Sequence, residues 1–467
     1  MTDVFGFRFV PAPRTANGHA VAGSDMAVVD ADEVAVVRTV RRQVAAALTD
    51  ASRAHDTTGG GRLSDEERTA LTRRLITQVL DAHAQQQMTA GRSPLHPQVE
   101  SRVARIVADT LLGAGGLQRW LDAEDVEDVT VNGCDVVHVR YADGTVARVP
   151  AVADSDAELV DLVRLLAARS GEEERRFDRA APTLNLQLPD GSRLNAVMAV
   201  TKRPMISIRR HRYMKVTLDD LMRLGAIDVC VRELCAAAVR AKLNLIVAGR
   251  TGAGKTTFIR ALASAIAADE RLVTVEDTFE LGLDLDPAHP NVVATQTREP
   301  NVEGQGAVDM AALFRNALRM VPDRVIVGEV RGPETVVMLH AMSQGNDGSL
   351  STIHASSSAG VFRKLAMYAA GCPERWDAAA TNMYIAEGVD LVVQLHREED
   401  TNRRYVTSVR EVVDADGAQV VSNEILRPGP DGRAVPGAPI SGPTVQRLVA
   451  HGFDPDLLRR PHGWWNS

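Results

Sequence analysis

Leu243-Asn244-Leu245-Ile246-Val247-Ala248-Gly249-Arg250-Thr251-Gly252-Ala253-Gly254-Lys255-Thr256 decides how the rest of this sequence is read. Its first half is a continuous apolar run, the pattern of a strand buried on both faces. Its second half fits G-x4-G-K-[ST], and a helical pattern runs on from 255 to 268. A glycine-rich turn between strand and helix presents backbone N–H groups to a phosphate, and the helix N-terminus adds a favourable partial charge. Lys255 is placed to reach β- and γ-phosphate oxygens, and the Thr256 hydroxyl to hold Mg²⁺. Gly249, Thr251, Gly252, Ala253, Gly254 and Thr257 complete the expected nucleotide-binding set.

Outward from this stretch, helix and strand alternate. Helices over 218–224 and 228–240 precede it, and the strand Leu272–Val275 follows. That rhythm predicts a parallel sheet with right-handed crossovers, whose carboxyl ends face the ligand crevice. Glu276 and Asp277 end the second strand, and adjacent acids there suit Mg²⁺ or the attacking water. Arg324-Val325-Ile326-Val327-Gly328-Glu329 is another buried strand closed by an acid. Gly328 stands where an aspartate is usual in such a strand, so Glu329 is read first as the group that activates water and second as a metal ligand. Gly345–Ala355 is a polar, Gly-containing loop leading through a strand-like stretch to His354.

Toward the N-terminus, residues 1–30 lack periodicity and read as a flexible leader. Helical patterns occupy 31–54, 64–87 and 97–114, the second opened by Ser64-x-x-Glu67, a capping box. From 117 to 215 the period becomes that of strands, with turns at Asn132-Gly133, Asp143-Gly144 and Pro189-Asp190-Gly191 and one helix over 155–169 closed by Gly171. Toward the C-terminus, 390–396 and 405–413 predict a hairpin. The Pro- and Gly-dense 427–443 reads as a linker. A short tail follows, ending in Trp464-Trp465, a pair that reads as a partner anchor, with a frayed terminus or packing on the protein's own core as the alternatives. The expected division is leader 1–30, helical region 31–116, α+β domain 117–215, nucleotide-binding domain 216–426, and linker with tail 427–467.

A chain of 467 residues is long enough for about three domains. Its net charge of −8 and 4% aromatic content argue against a nucleic-acid-coating protein. A nucleic-acid motor on the same core stays as the alternative, since arginine is plentiful. A nucleotide-gated scaffold without turnover is disfavoured by the intact Lys255, Glu276, Glu329 and His354. Four scattered cysteines fit neither a disulfide framework nor a metal site and suit a reducing cytosol. No apolar run of membrane-spanning length occurs.

The phosphate loop, Val275-Glu276-Asp277-Thr278, the block 317–334 and Gly348-Ser349-Leu350-Ser351-Thr352-Ile353-His354-Ala355 together resemble the type II/type IV secretion ATPase superfamily, most closely its tight-adherence pilus (CpaF/TadA-like) branch. Leu188–Arg193, Ile206–Arg209 and Arg298-x-x-Asn301-x-Glu303-Gly304 extend the resemblance over about 120–425. It implies a RecA-like P-loop core, a preceding PAS-like α+β domain, ATP and Mg²⁺. It also implies a cytoplasmic homohexamer held at the inner face of the membrane by platform proteins, powering pilus assembly or secretion. It places Glu276 and Asp277 in an aspartate box, Glu329 in Walker B and His354 in a histidine box. Arg193, Arg209 and Arg298 match arginines near the nucleotide. Asn346 stands where related proteins often carry histidine, leaving His354 alone in its box.

Overall fold

Three helices open the described part of the chain: α1 (Ala31–Thr57), α2 (Asp65–Thr89) and α3 (Pro97–Leu112). The computed structural model describes residues 31–57, 64–169, 176–210, 213, 215–298, 300 and 304–465. The expected leader 1–30 and the expected helix stop at Gly171 lie outside them. Ser64 and Glu67 form both halves of the predicted capping box, with Ser64 N–H donating to Glu67 Oε2 at 2.9 Å. Val40, Val44, Ile76, Leu80, Val103 and Val107 bury one stripe from each helix in a shared core. Arg102 ties α3 to α1 through both oxygens of the buried Glu33, at 2.7 and 3.1 Å. Residues 31–116 belong to one compact unit and 117–465 to a second.

The second unit begins with α4 (Gln118–Asp122), β1 (Val126–Asn132), β2 (Val137–Tyr141), β3 (Val146–Val149), α5 (Asp156–Arg169), β4 (Thr183–Gln187), β5 (Arg193–Val197) and β6 (Met205–Arg209). The strands form an antiparallel sheet in the order β3-β2-β1-β6-β5-β4. Alternation sorts its faces: Val129, Val131, Val137, Val139, Leu194, Ala196, Ile206 and Ile208 are buried. The other face is polar. Register places Arg140, Asp128, Arg209 and Arg193 in one row across β2, β1, β6 and β5.

After α6 (Leu218–Arg223) and α7 (Val229–Arg240), the chain alternates β7 (Leu245–Ala248), α8 (Lys255–Ala263), β8 (Leu272–Glu276), β9 (Val292–Gln296), α9 (Met310–Ala317), β10 (Arg324–Val330), α10 (Glu334–Ser343), β11 (Leu350–Ile353), α11 (Gly360–Ala370), α12 (Ala378–Gly388) and β12 (Leu391–Arg397). Strands β12, β7, β11, β10, β8 and β9 lie side by side in that order, all parallel. The predicted later hairpin is antiparallel β12 and β13 (Arg404–Ala415).

Residues 427–443 are not a linker. β14 (Val420–Pro428) pairs with β13, and β15 (Ala434–Pro436) pairs with β14, so the stretch completes the sheet edge. Proline and glycine sit here in an edge strand and its turns, where neither breaks a central ladder. Helix α13 (Gly442–Ala450) follows. Nor is the tryptophan pair a free anchor. Trp465 packs on the main core, donates its ring N–H to Ala434 O at 2.6 Å and lies under Arg433. Trp464 donates its backbone N–H to Asp228 at 2.8 Å and its ring N–H to Leu457 O at 2.9 Å.

A phosphate loop ringed by ion pairs

β7 delivers Gly249–Gly254 at the carboxyl edge of the parallel sheet, between β11 and β12. Gly252 and Gly254 have φ of +75° and +90°, the left-handed region where a Cβ is strained. Lys255 opens α8 and is 8% exposed. Its Nζ lies 3.3 Å from Gly249 O, 3.4 Å from Arg250 O and 3.2 Å from His354 Nδ1. Burial pushes its pKa down to about 8; nearby Glu329 opposes the shift and nearby Arg209 adds to it.

His354 follows β11. Its Nε2 is 2.8 Å from Glu329 Oε1, while Arg331 Nη2 donates to Glu329 Oε2 at 2.7 Å. Nε2 lies at ion-pair distance from the carboxylate, but Glu329 Oε1 accepts no hydrogen bond among the described residues, and both ring nitrogens lie within 3.4 Å of Lys255 Nζ. Burial and Lys255 hold the imidazole pKa below its ordinary value, against the pull of Glu329. Arg331 also reaches Asp277 Oδ2 at 3.2 Å. One chain of contacts therefore runs Lys255–His354–Glu329–Arg331–Asp277 across the ends of four strands or their following turns.

A second chain enters from the α+β domain. Arg193, at the start of β5, pairs with Glu280, whose other oxygen accepts from Thr256 Oγ1 at 3.3 Å. Gln187 donates to Phe279 O at 3.0 Å. Arg209, opposite Arg193 in register, lies 3.4 Å from Asp128. Arg193, Arg209, Asp128, Arg140, Ser207 and Thr278 are among the residues lining a cavity of about 350 Å³ along the polar sheet face.

Two expected residues are placed elsewhere. Glu276 is 2% exposed, and its oxygens accept from Thr274 Oγ1 at 2.9 Å, Glu280 N–H at 2.7 Å and Leu281 N–H at 2.8 Å. It braces the turn after β8, both of its oxygens accepting hydrogen bonds from the protein itself. Burial outweighs those bonds and raises its pKa to about 7. Its Cγ also lies 3.2 Å from where a Cβ on Gly328 would be, which accounts for glycine at the position of the usual aspartate. Arg298 spends its Nε on Gly306 O at 2.6 Å and its backbone on Val308. Among the described residues it makes no bond to the phosphate loop, Glu280, Glu329 or His354; Asn301 and Glu303 lie outside the described residues. Asn346 donates to Ala341 O at 3.1 Å, a turn-holding contact.

Sequence reasoning missed Glu280 and Arg331. The signal for Glu280 was a third acid four residues beyond Glu276, past a strand end where the chain must turn. Thr256 and Glu280 fit Mg²⁺, which takes one or two protein oxygens and completes its shell with phosphate and water. Asp277 and Glu329, expected as metal ligands, are both paired with Arg331. No group of three or more His, Cys, Asp or Glu able to hold a metal occurs among the described residues.

The strand order, the loop and the acids at the strand ends define a RecA-like phosphate-loop ATPase. Residues 111–428 match the model of the Type II/IV secretion system protein family, and the chain belongs to that family. It is 37% identical over 308 residues to Rv3659c of Mycobacterium tuberculosis strain H37Rv, a protein named for conjugal transfer, covering 64% of this chain and 85% of the relative. It is 29% identical over 324 residues to the type IV secretion system protein VirB11 of Brucella abortus, covering 63% and 87%. The crystal structure of the Brucella suis VirB11 ATPase with sulphate is similar over 63% of this chain and 91% of its own, with 27% identity and a TM-score of 0.33.

Proposed function

We propose that this ATPase is a homohexameric motor of the tight-adherence (CpaF/TadA-like) branch. It works on the cytoplasmic side of the membrane and drives pilus assembly or secretion through membrane platform proteins. The observation that carries the reading is the junction at Thr256, where Arg193 from the α+β domain and Glu280 from the ATPase core meet the phosphate loop. A domain that supplies a cation to the nucleotide site is pulled or released as the charge there changes, and that displacement is the mechanical output. Among the described residues no helix is long and apolar enough to cross a membrane, so partners would carry the anchoring.

In the reaction, water attacks the γ-phosphate in line and catalysis is positioning plus charge neutralisation. Lys255 and the loop N–H groups hold the phosphates. Thr256 and Glu280 would hold Mg²⁺, which would supply charge neutralisation at the phosphates. Glu329, whose Oε1 accepts no hydrogen bond among the described residues, orients the attacking water. His354, held between Lys255 and Glu329, has one ring N–H when neutral and donates it toward the γ-phosphate once that nitrogen is released by its present neighbour. Arg193 and Arg209 meet the negative charge from the α+β side.

The test combines fluorescent-ATP binding, phosphate release and mass photometry on wild type, Lys255→Ala and Glu280→Gln. Expected are no binding for Lys255→Ala, binding without turnover for Glu280→Gln, and six-subunit particles whose formation raises specific activity. A pull-down from solubilised membranes should recover polytopic platform proteins. Hydrolysis stimulated by single-stranded DNA, with steeply salt-dependent binding, would replace this reading with the nucleic-acid motor.

A further inference from the structure

The phosphate loop is gripped by a side chain that the ATP chemistry above does not use. Arg404, the first residue of β13, donates from Nε to Gly252 O at 2.9 Å. Its two remaining nitrogens donate to Glu127 Oε1 and Oε2, both at 3.0 Å. Gly252 belongs to the phosphate loop and Glu127 to β1 of the α+β domain. One guanidinium thus joins the two by three bonds, the bidentate half in the geometry that most restricts an arginine.

Local structure has been bent to allow this. The β1–β2 register shifts between Val126 and Asp128, making Glu127 the extra residue of a β-bulge. Bulges re-aim side chains. Here the neighbours divide the work: Asp128 faces Arg140 and Arg209, and Glu127 faces Arg404. The hairpin carrying Arg404 is itself pinned. Asn402 is 6% exposed with φ of +56°, donates to Ala142 O in the β2–β3 turn at 2.5 Å, and accepts from Arg397 Nε at 2.6 Å. Arg397 then covers Gly252, with Nη1 2.8 Å from where a Cβ there would lie.

A trans peptide is planar, so fixing the oxygen of residue 252 fixes the direction of the Ala253 N–H in the same peptide. That N–H donates to Arg250 O at 3.1 Å and closes the loop's own turn, so the hold on Gly252 O also fixes the curl of the phosphate loop around its N–H groups.

We infer that Glu127 and Arg404 are positioning residues through which the α+β domain sets the shape of the phosphate loop, and hence its nucleotide affinity, within one chain. The inference rests on 249–257 being the nucleotide site. It departs from the arginine contacts of Arg193 and Arg209 because Arg404 acts on the loop backbone and not on the reacting phosphate.

The experiment measures fluorescent-ATP dissociation constants, kcat, KM and melting temperature for Glu127→Gln, Arg404→Lys, the double variant and the charge-swapped pair Glu127→Arg/Arg404→Glu. Each single change should weaken nucleotide binding about tenfold, the equivalent of one charge-assisted bond, with KM rising more than kcat falls. The double variant should be no weaker than the worse single one, because both break one linkage. The swapped pair decides between positioning and mere docking. A glutamate at 404 cannot donate to Gly252 O, so the swap should recover melting temperature without recovering affinity. Restored affinity in the swap, additive losses, or unchanged affinity in both single variants would overturn the inference. Lys255→Ala serves as the separate control: if it still binds ATP, the nucleotide-site reading itself fails.

Discussion

Glu276→Gln separates a carboxylate that builds the site from one that works in it. The side chain is 2% exposed, and its pKa is raised to about 7 from an ordinary 4.5. A group whose folded pKa is raised adds stability that is complete below the unfolded pKa and is lost as pH climbs through the folded one. For Glu276 that window runs from about pH 4.5 to pH 7, and a shift of this size corresponds to the order of 3 kcal/mol. Glutamine keeps the shape: its oxygen accepts from the Glu280 and Leu281 N–H groups, and its amide donates to Thr274 Oγ1. The wild-type melting temperature should therefore fall by several degrees between pH 4.5 and 7 through this group, and that component should vanish in Glu276→Gln. Turnover should stay within about threefold of wild type, whereas Glu280→Gln should lose at least about 10²-fold. Differential scanning fluorimetry across the pH range and phosphate release at pH 7.5 measure both. A Glu276→Gln protein that melts with the wild-type pH dependence yet has no turnover would refute the buried, turn-holding role.

Glu329→Gln, which keeps shape but removes the negative charge facing His354 and Arg331, should preserve ATP binding and lower turnover by at least about 10²-fold; phosphate release with a binding control checks it. Because Lys255 sits near pKa 8 before ligand arrives, ATP binding at pH 8.5 should take up a proton. Calorimetry in two buffers of different ionisation enthalpy reads this directly, and equal heats would count against it. Arg193→Ala should abolish hydrolysis while sparing binding, worth about 10³-fold or more if it meets transition-state charge. Mixing it with Lys255→Ala subunits restores activity only if the arginine acts across an interface. Trp465→Ala should cost roughly 2 kcal/mol by chemical denaturation, since the ring packs on the protein's own core; removing 444–467 should reduce soluble protein rather than merely partner docking.

The sequence by itself determined everything whose physics is local. The phosphate loop was legible because strand, glycine turn and helix N-terminus are contiguous, and their N–H groups act through the backbone that the sequence directly dictates. The capping box at Ser64, the three N-terminal helices and the β12–β13 hairpin were legible for the same reason. Only the tertiary structure shows which acid is tied to which partner. Glu276, Glu280 and Glu329 all lie at or just beyond strand ends, and pattern cannot say whose oxygens are consumed by backbone N–H groups. Arg193 and Arg298 looked equivalent, yet cross-strand register carries Arg193 to Glu280 while Arg298 closes its own loop. The stretch 427–443 read as a linker because composition reports turn propensity, and an edge strand differs from a linker only in having β13 and β14 to pair with. The Glu127–Arg404–Gly252 linkage joins residues far apart in sequence through a β-bulge, a register irregularity that exists only once β1 has paired with β2.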